Sequence, residues 1–210
     1  MAISLAAALV LAAQCAPTVA PETLLSVVQV ESRFEPLAIG VNGAPRIVVA
    51  PISVDDAVTK AAALITAGRN VDLGLAQINS KNLSWLGLSL ADVFEPCTNL
   101  RAAARILQDG YGRSDAARVG EQAALKTALS YYNTGHPARG FNNGYVGKVA
   151  TAAERIVPAI GGASLASLSE SPPAAPTESP SPPWDVFGDV HHGRGSFVTT
   201  VSTIASGGSQ

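Results

Sequence analysis

The chain has 210 residues, 47% apolar and 14% charged, with a formal net charge of -2. That is enough chain for one domain with a real core plus a tail, and its composition excludes a wholly disordered polypeptide. The small net charge and the lack of any Lys or Arg run exclude the electrostatic footprint of a nucleic-acid binder or of a protein held at an anionic membrane surface.

The N-terminal run "MAISLAAALVLAAQCAPTVAP" has no basic residue ahead of its apolar stretch and no good A-x-A cleavage site after it. Residues Ala2 to Ala13 are too few to span a bilayer, so no stable membrane span is expected. The expectation is the first helix of the domain, with the export signal left unclear. Pro21 then suits the first turn of a second helix reaching about Phe34, where Pro36 ends it, and Glu22 lies at its positive end. "GVNGAPRIVVAPIS" is the one stretch with strand character, around Arg46–Ala50. Ser53 with Asp56 three residues on, and Gly68 beyond, bracket a third helix. Leu100, Ala103, Ala104 and Leu107 mark another at helical spacing. "EQAALKTALSYYNTG" is a further helix stopped by Gly135, and "YVGKVATAAERIV" is the last, stopped by Pro158.

After Ile160 the composition changes. "GGASLASLSESPPAAPTESPSPP" cannot build a core and reads as a flexible linker, followed by "WDVFGDV" and a Gly/Ser-rich end. The expected organisation is a mainly α (α+β) domain over residues 1–160 with a small β element, then a disordered Pro/Ser/Gly-rich tail over 161–210. Trp184 and Phe187 in that tail are either a chance aromatic pair or a short docking motif. Cys15 and Cys97 are not a C-x-x-C pair and have no histidine cluster beside them, so no metal site is expected. One disulfide and two inert buried thiols are the open readings.

Chemistry is suggested first by Glu31. Leu24, Val27, Val28 and Glu31 share one helix face, so the acid ends an apolar stripe. A carboxyl group partly withdrawn from water keeps its proton nearer neutral pH, as a general acid for glycosidic cleavage must. The bland alternative is a helix-end glutamate turned outward. "LGLAQIN" places Gln77 and Asn79 as amides in an apolar run. "LSYYNTG" brings Tyr131, Tyr132 and Asn133 to a helix end. Amides satisfied by backbone, and tyrosines packed in the core, are the corresponding structural readings. His136 reads as a solvent-facing loop residue. His191 and His192 have no partners that suggest metal, and Lys60, Lys81 and Arg46 are either contacts for an acidic peptide or surface charges.

Four segments in order resemble the soluble lytic transglycosylase family. The family patterns are E-S-x-F-x-P-x-A, G-L-M-Q-I, A-Y-N-x-G and a late Y-V. This chain has Glu31-Ser32-Arg33-Phe34-Glu35-Pro36-Leu37-Ala38, Gly74-Leu75-Ala76-Gln77-Ile78, Tyr131-Tyr132-Asn133-Thr134-Gly135 and Tyr145-Val146. "QCAPTVAPETL", "AIGVNG", "FEPCTNLRAAARIL" and the Pro-rich tail look like the subgroup attached to type IV secretion systems. The resemblance implies a lysozyme-like fold and cleavage of the MurNAc–GlcNAc β-1,4 bond of peptidoglycan, closing a 1,6-anhydro ring. That opening of the wall would let a secretion machine assemble. Glu31 would be catalytic, and Gln77, Asn79, Tyr132, Asn133 and Tyr145 would bind substrate or shape the site. Ser32 would be structural. No cofactor or metal is called for; the partners would be glycan strands and secretion components, in the periplasm or cell envelope. That oxidising compartment favours a Cys15–Cys97 disulfide. Ala76 departs from the usual methionine, and Phe141-Asn142-Asn143-Gly144 stands where many relatives have an acid. A hydrolytic muramidase with Asp72 as second carboxylate, and a non-catalytic wall-binding scaffold, are the alternatives.

Overall fold

A computed structural model describes residues 1–43 and 49–166. Ten helices are described: α1 (Leu5–Cys15), α2 (Pro21–Glu31), α3 (Val54–Thr66), α4 (Leu83–Leu86), α5 (Leu90–Phe94), α6 (Pro96–Gly112), α7 (Ala116–Val119), α8 (Glu121–Thr134), α9 (Arg139–Asn142) and α10 (Tyr145–Ala166). Three short strands, β1 (Ile39–Val41), β2 (Val71–Leu73) and β3 (Ile78–Asn79), form one antiparallel sheet in that order. The domain is therefore mainly α with a small β element. Among the described residues no helix is long and apolar enough to cross a membrane.

The N-terminal run is a helix of the domain. Ala8 and Ala12 lie in the core, and the small side chains let α1 approach α6 closely. Cys15 at its end is bonded to Cys97 in the first turn of α6, with Cα atoms 5.3 Å apart. Closing a loop of this length typically stabilises a fold by about 2–4 kcal/mol. Ser53 caps α3 by accepting from the Asp56 N–H, as its sequence requires.

Three expectations need correction. The strand expected at Arg46–Ala50 falls largely outside the described residues; Val49 and Ala50 are not in a strand, and the sheet instead begins at Ile39. Helix α2 stops at Glu31, not near Phe34, because Arg33 and Phe34 take left-handed backbone conformations, with φ of 55° and 66°. That reversal costs backbone energy, and Phe34 offsets it by burying its ring in the core. Helix α10 does not stop at Pro158 but continues to Ala166. The proline removes a helical hydrogen bond, yet Ile156, Val157 and Ile160 are buried on both sides of it, which holds the helix through the gap. The tail, with Trp184, Phe187, His191 and His192, lies outside the described residues.

Candidate active site

Glu31 reaches a cleft of about 600 Å³ because its helix is anchored by its own apolar stripe: Leu24, Val27 and Val28 are fully buried. The left-handed turn after it swings the chain away, so the carboxyl group projects into the cleft from the last residue of α2. Its partner is Tyr145, the first residue of α10, whose hydroxyl donates to Glu31 Oε1 at 2.5 Å. Helices α2 and α10 pack along each other, which fixes this pair. Desolvation pushes the Glu31 carboxyl up to about 7; the Tyr145 hydrogen bond opposes that shift and the charge of Asp72 adds to it. Burial also raises the phenols of Tyr132 and Tyr145, so both remain neutral donors.

Asp72 enters the same cleft from the middle of β2, opposite Gly40 on one side and Asn79 on the other. Asn42 donates to its Oδ2 at 2.8 Å and Asn79 to its Oδ1 at 2.6 Å. Desolvation raises its carboxyl and these two amides pull it back.

The β2–β3 turn carries Gln77. Gly74 takes φ +76°, and a Cβ there would fall 2.2 Å from Asn99 Nδ2 and 2.8 Å from the Val93 carbonyl, so only glycine fits. Asn99 is fully buried on α6 and clamps the turn: it donates to the Leu73 and Val93 carbonyls and accepts from the Ala76 N–H. The Gln77 amide nitrogen donates to the Ala38 and Gly74 carbonyls, and its oxygen lies 2.6 Å from where a Cβ on Gly40 would stand. Gln77 lines the cleft, but its amide N–H groups serve the backbone. Asn79 likewise spends its side chain on Asp72 and on the Lys81 N–H. Tyr132 lines the cleft with its hydroxyl donated to the Ala76 carbonyl at 2.6 Å, so its ring is what it offers. Ala76 itself is fully buried and does not face the cleft.

Asn133 is exposed on the cleft rim and accepts from Asn143 Nδ2 at 2.8 Å. Asn143 in turn accepts from the Tyr145 N–H. An amide therefore stands where an acid was expected, and it ties Asn133 to the helix start that carries Tyr145. Ser32 faces its own helix, its hydroxyl 3.5 Å from the Val28 carbonyl. Glu35 turns away toward the Leu37 N–H and the amine of Met1. His136 is exposed and not in the cleft lining; its Nδ1 accepts from the Ala138 N–H. The residues that sequence reasoning missed are Asn99 and Ser130, and Asn143 enters it only as a departure from an acid. Ser130 is fully buried and bridges the His136 carbonyl and the Gly140 N–H, closing the loop beneath Asn133. A polar residue on an apolar helix face was the available signal for Asn99 and Ser130.

The transglycosylase SLT domain family matches residues 8–154, which spans the helices and strands that build this cleft. The chain belongs to that family. This SLT domain is 47% identical over 152 residues to the type IV secretion system protein virB1 of Brucella abortus, a match covering 70% of the chain and 63% of that protein. It is 44% identical over 147 residues to the protein virB1 of Agrobacterium fabrum, covering 70% of the chain and 59% of that protein. The virB1 protein of Rhizobium radiobacter is 42% identical over 153 residues, covering 71% and 62%. The chain thus matches about three fifths of the length of these relatives. No solved structure gives a significant match.

Proposed function

We propose that this chain is a lytic transglycosylase that cleaves the MurNAc–GlcNAc β-1,4 bond of peptidoglycan in the cell envelope, opening the wall locally for a type IV secretion system. The observation that carries the reading is a half-buried Glu31, raised to about 7 and held by Tyr145 in an open cleft. Membership of the transglycosylase family and similarity to virB1 proteins support it. The domain occupies residues 1–160 in this reading, with 161–210 as a tail.

In the reaction, protonated Glu31 gives its proton to the oxygen between the two sugars, and the C1–O bond breaks. The acetamido group of the MurNAc unit stabilises the electron-poor C1. Glu31, now a carboxylate, takes the proton of the C6 hydroxyl as that oxygen bonds C1. The proton returns to Glu31 and no water enters the products. Tyr145 holds the carboxyl group in one orientation through both steps, and the Tyr132 ring shapes the sugar seat. Asn133 meets hydroxyl or acetamido groups at the rim, whereas Gln77 and Asn79 act by keeping the β2–β3 turn and Asp72 in place.

Asp72 in the same cleft favours a second reading, hydrolysis with two carboxylates. Both of its oxygens already accept amide hydrogens, so it is poorly placed to attack a sugar or activate water. Digestion of purified peptidoglycan separates the two by mass: 1,6-anhydro ends are expected, absent with Glu31→Gln, whereas reducing ends carrying added water would establish the hydrolase.

A further inference from the structure

Helix α6 carries a second concavity on the side turned away from the catalytic cleft. Ile106, Asp109 and Arg113 line the cleft, whereas Leu107, Tyr111 and Gly112 point the opposite way, at about 100° of rotation per residue. With Val19 and Thr23 at the start of α2 and Leu125 of α8 they line a groove of about 230 Å³. That is below the roughly 300–1,000 Å³ of sites that take a whole small-molecule ligand, and suits one or two side chains of a peptide. Leu107, Thr23 and Leu125 are buried in it, and Tyr111 is half-buried. Among the described residues its lining carries no charge, so its occupant is apolar. Nothing in the chemistry at Glu31 uses it.

The course of α10 says what can reach this groove. Helices α2 and α10 pack side by side, and Glu31 at the end of α2 meets Tyr145 at the start of α10, so they run antiparallel. With 11 and 22 residues they are about 16 Å and 33 Å long. The far end of α10 therefore passes the N-terminal end of α2, beside Val19 and Thr23, and stops at Ala166 on the groove's end of the domain. Trp184 follows 18 residues after Ala166, and Trp184 and Phe187 are the first aromatic residues after Tyr145. A coil of 18 residues averages about 24 Å end to end, and a polyproline-type chain of that length reaches about 56 Å. We infer that the groove behind α6 is the docking site of the Trp184-Asp185-Val186-Phe187 segment of the same chain. Trp184 and Phe187 fill the apolar groove, and Asp185 stays in water. Tethering supplies an effective concentration on the order of 1 mM, so a contact with a Kd of about 0.3 mM keeps the segment seated about three quarters of the time. Docking there holds the segment on the face opposite the cleft and leaves the cleft open.

The experiment uses the full chain carrying Trp85→Phe, which leaves Trp184 as its one tryptophan. Acrylamide quenching of Trp184 is compared with that of a free peptide spanning residues 180–190. The quenching constant in the chain is expected to be about threefold lower than in the peptide, as a segment seated most of the time requires. Two substitutions block the groove from exposed positions. A side chain built at Gly112 points into open space, so Gly112→Leu fills the groove, and Thr18→Glu sets a charge at its lining. Each should restore peptide-like quenching, and so should Phe187→Ser, which lies beyond α10 and leaves the domain untouched. Peptide-like quenching in the unblocked chain overturns the inference. Shielding that survives Gly112→Leu and Thr18→Glu overturns it too, because the segment then sits elsewhere. Shielding that disappears on fiftyfold dilution also overturns it, since the occupant would come from a second copy; shielding independent of concentration upholds it.

Discussion

Two carboxyl groups face one cleft from different scaffolds. Glu31 ends a helix whose stripe of Leu24, Val27 and Val28 is wholly buried, and one tyrosine hydroxyl serves it. Asp72 sits in mid-strand between two neighbouring strands, and two asparagine amides serve it. Both are lifted by desolvation, but the donors differ in number and so does what each acid can do. Glu31 keeps a proton it can give away near neutral pH. Asp72 is fixed as an acceptor, and its charge helps to hold the proton on Glu31. Desolvation is the largest cause at both acids, and the donors, one at Glu31 and two at Asp72, work against it.

The most severe way to break this asymmetry is Glu31→Gln. Loss of a general acid costs about 10²- to 10⁴-fold in rate, so anhydro-product formation is expected to fall by at least a hundredfold while the chain still folds. Persistent clearing of peptidoglycan in a zymogram would remove Glu31 from the mechanism.

The next effect is on stability. The folded-state value near 7 lies above the ordinary glutamate value of 4.5, so the folded chain holds this proton more tightly than the unfolded one. The stability due to Glu31 is full below about pH 4.5 and is lost as pH rises through 7, amounting to about 3 kcal/mol. Denaturant titrations at several pH values should show that loss in the parent and a smaller one in Glu31→Gln, where Asp72 still contributes in the same direction.

Asn99→Ala attacks the β2–β3 turn beside Asp72. It leaves the Leu73 and Val93 carbonyls and the Ala76 N–H without their buried partner, at a cost of about 1–3 kcal/mol. Chemical denaturation measures it; an unchanged midpoint would show that the turn holds itself. Tyr145→Phe sharpens the comparison further. It removes a donor that favours the Glu31 carboxylate, so the alkaline limb of the pH–rate profile should move to higher pH, with a rate loss of about tenfold from misorientation. Asp72→Ala should do the opposite by a smaller amount, moving that limb to lower pH, because a charge that raises Glu31 is gone.

Much of this arrangement is legible from sequence where the signal is local. The i, i+3, i+4, i+7 stripe that ends in Glu31, the Ser53 cap, and the Leu100–Leu107 face all fold as their spacing implies. What local pattern did not show depends on distant partners. Tyr145 was expected near the site from the resemblance alone; its hydrogen bond to Glu31 spans 114 residues. Gln77 and Asn79 both line the cleft, but local pattern did not show that the Gln77 N–H groups serve the Ala38 and Gly74 carbonyls or that Asn79 bonds Asp72 and the Lys81 N–H. Pro158 reads as a helix stop because its missing N–H is visible in sequence, while the core that outweighs it is not. Arg33 and Phe34 give no local sign of a left-handed turn, since neither residue favours one.

The most direct measurement is a carboxyl-carbon NMR titration of the labelled chain, with Glu31→Gln and Asp72→Ala to assign the two signals. Glu31 should titrate near pH 7, and Asp72 above the usual aspartate range. Titration of Glu31 near 4.5, or of Asp72 within the usual aspartate range, would contradict the account.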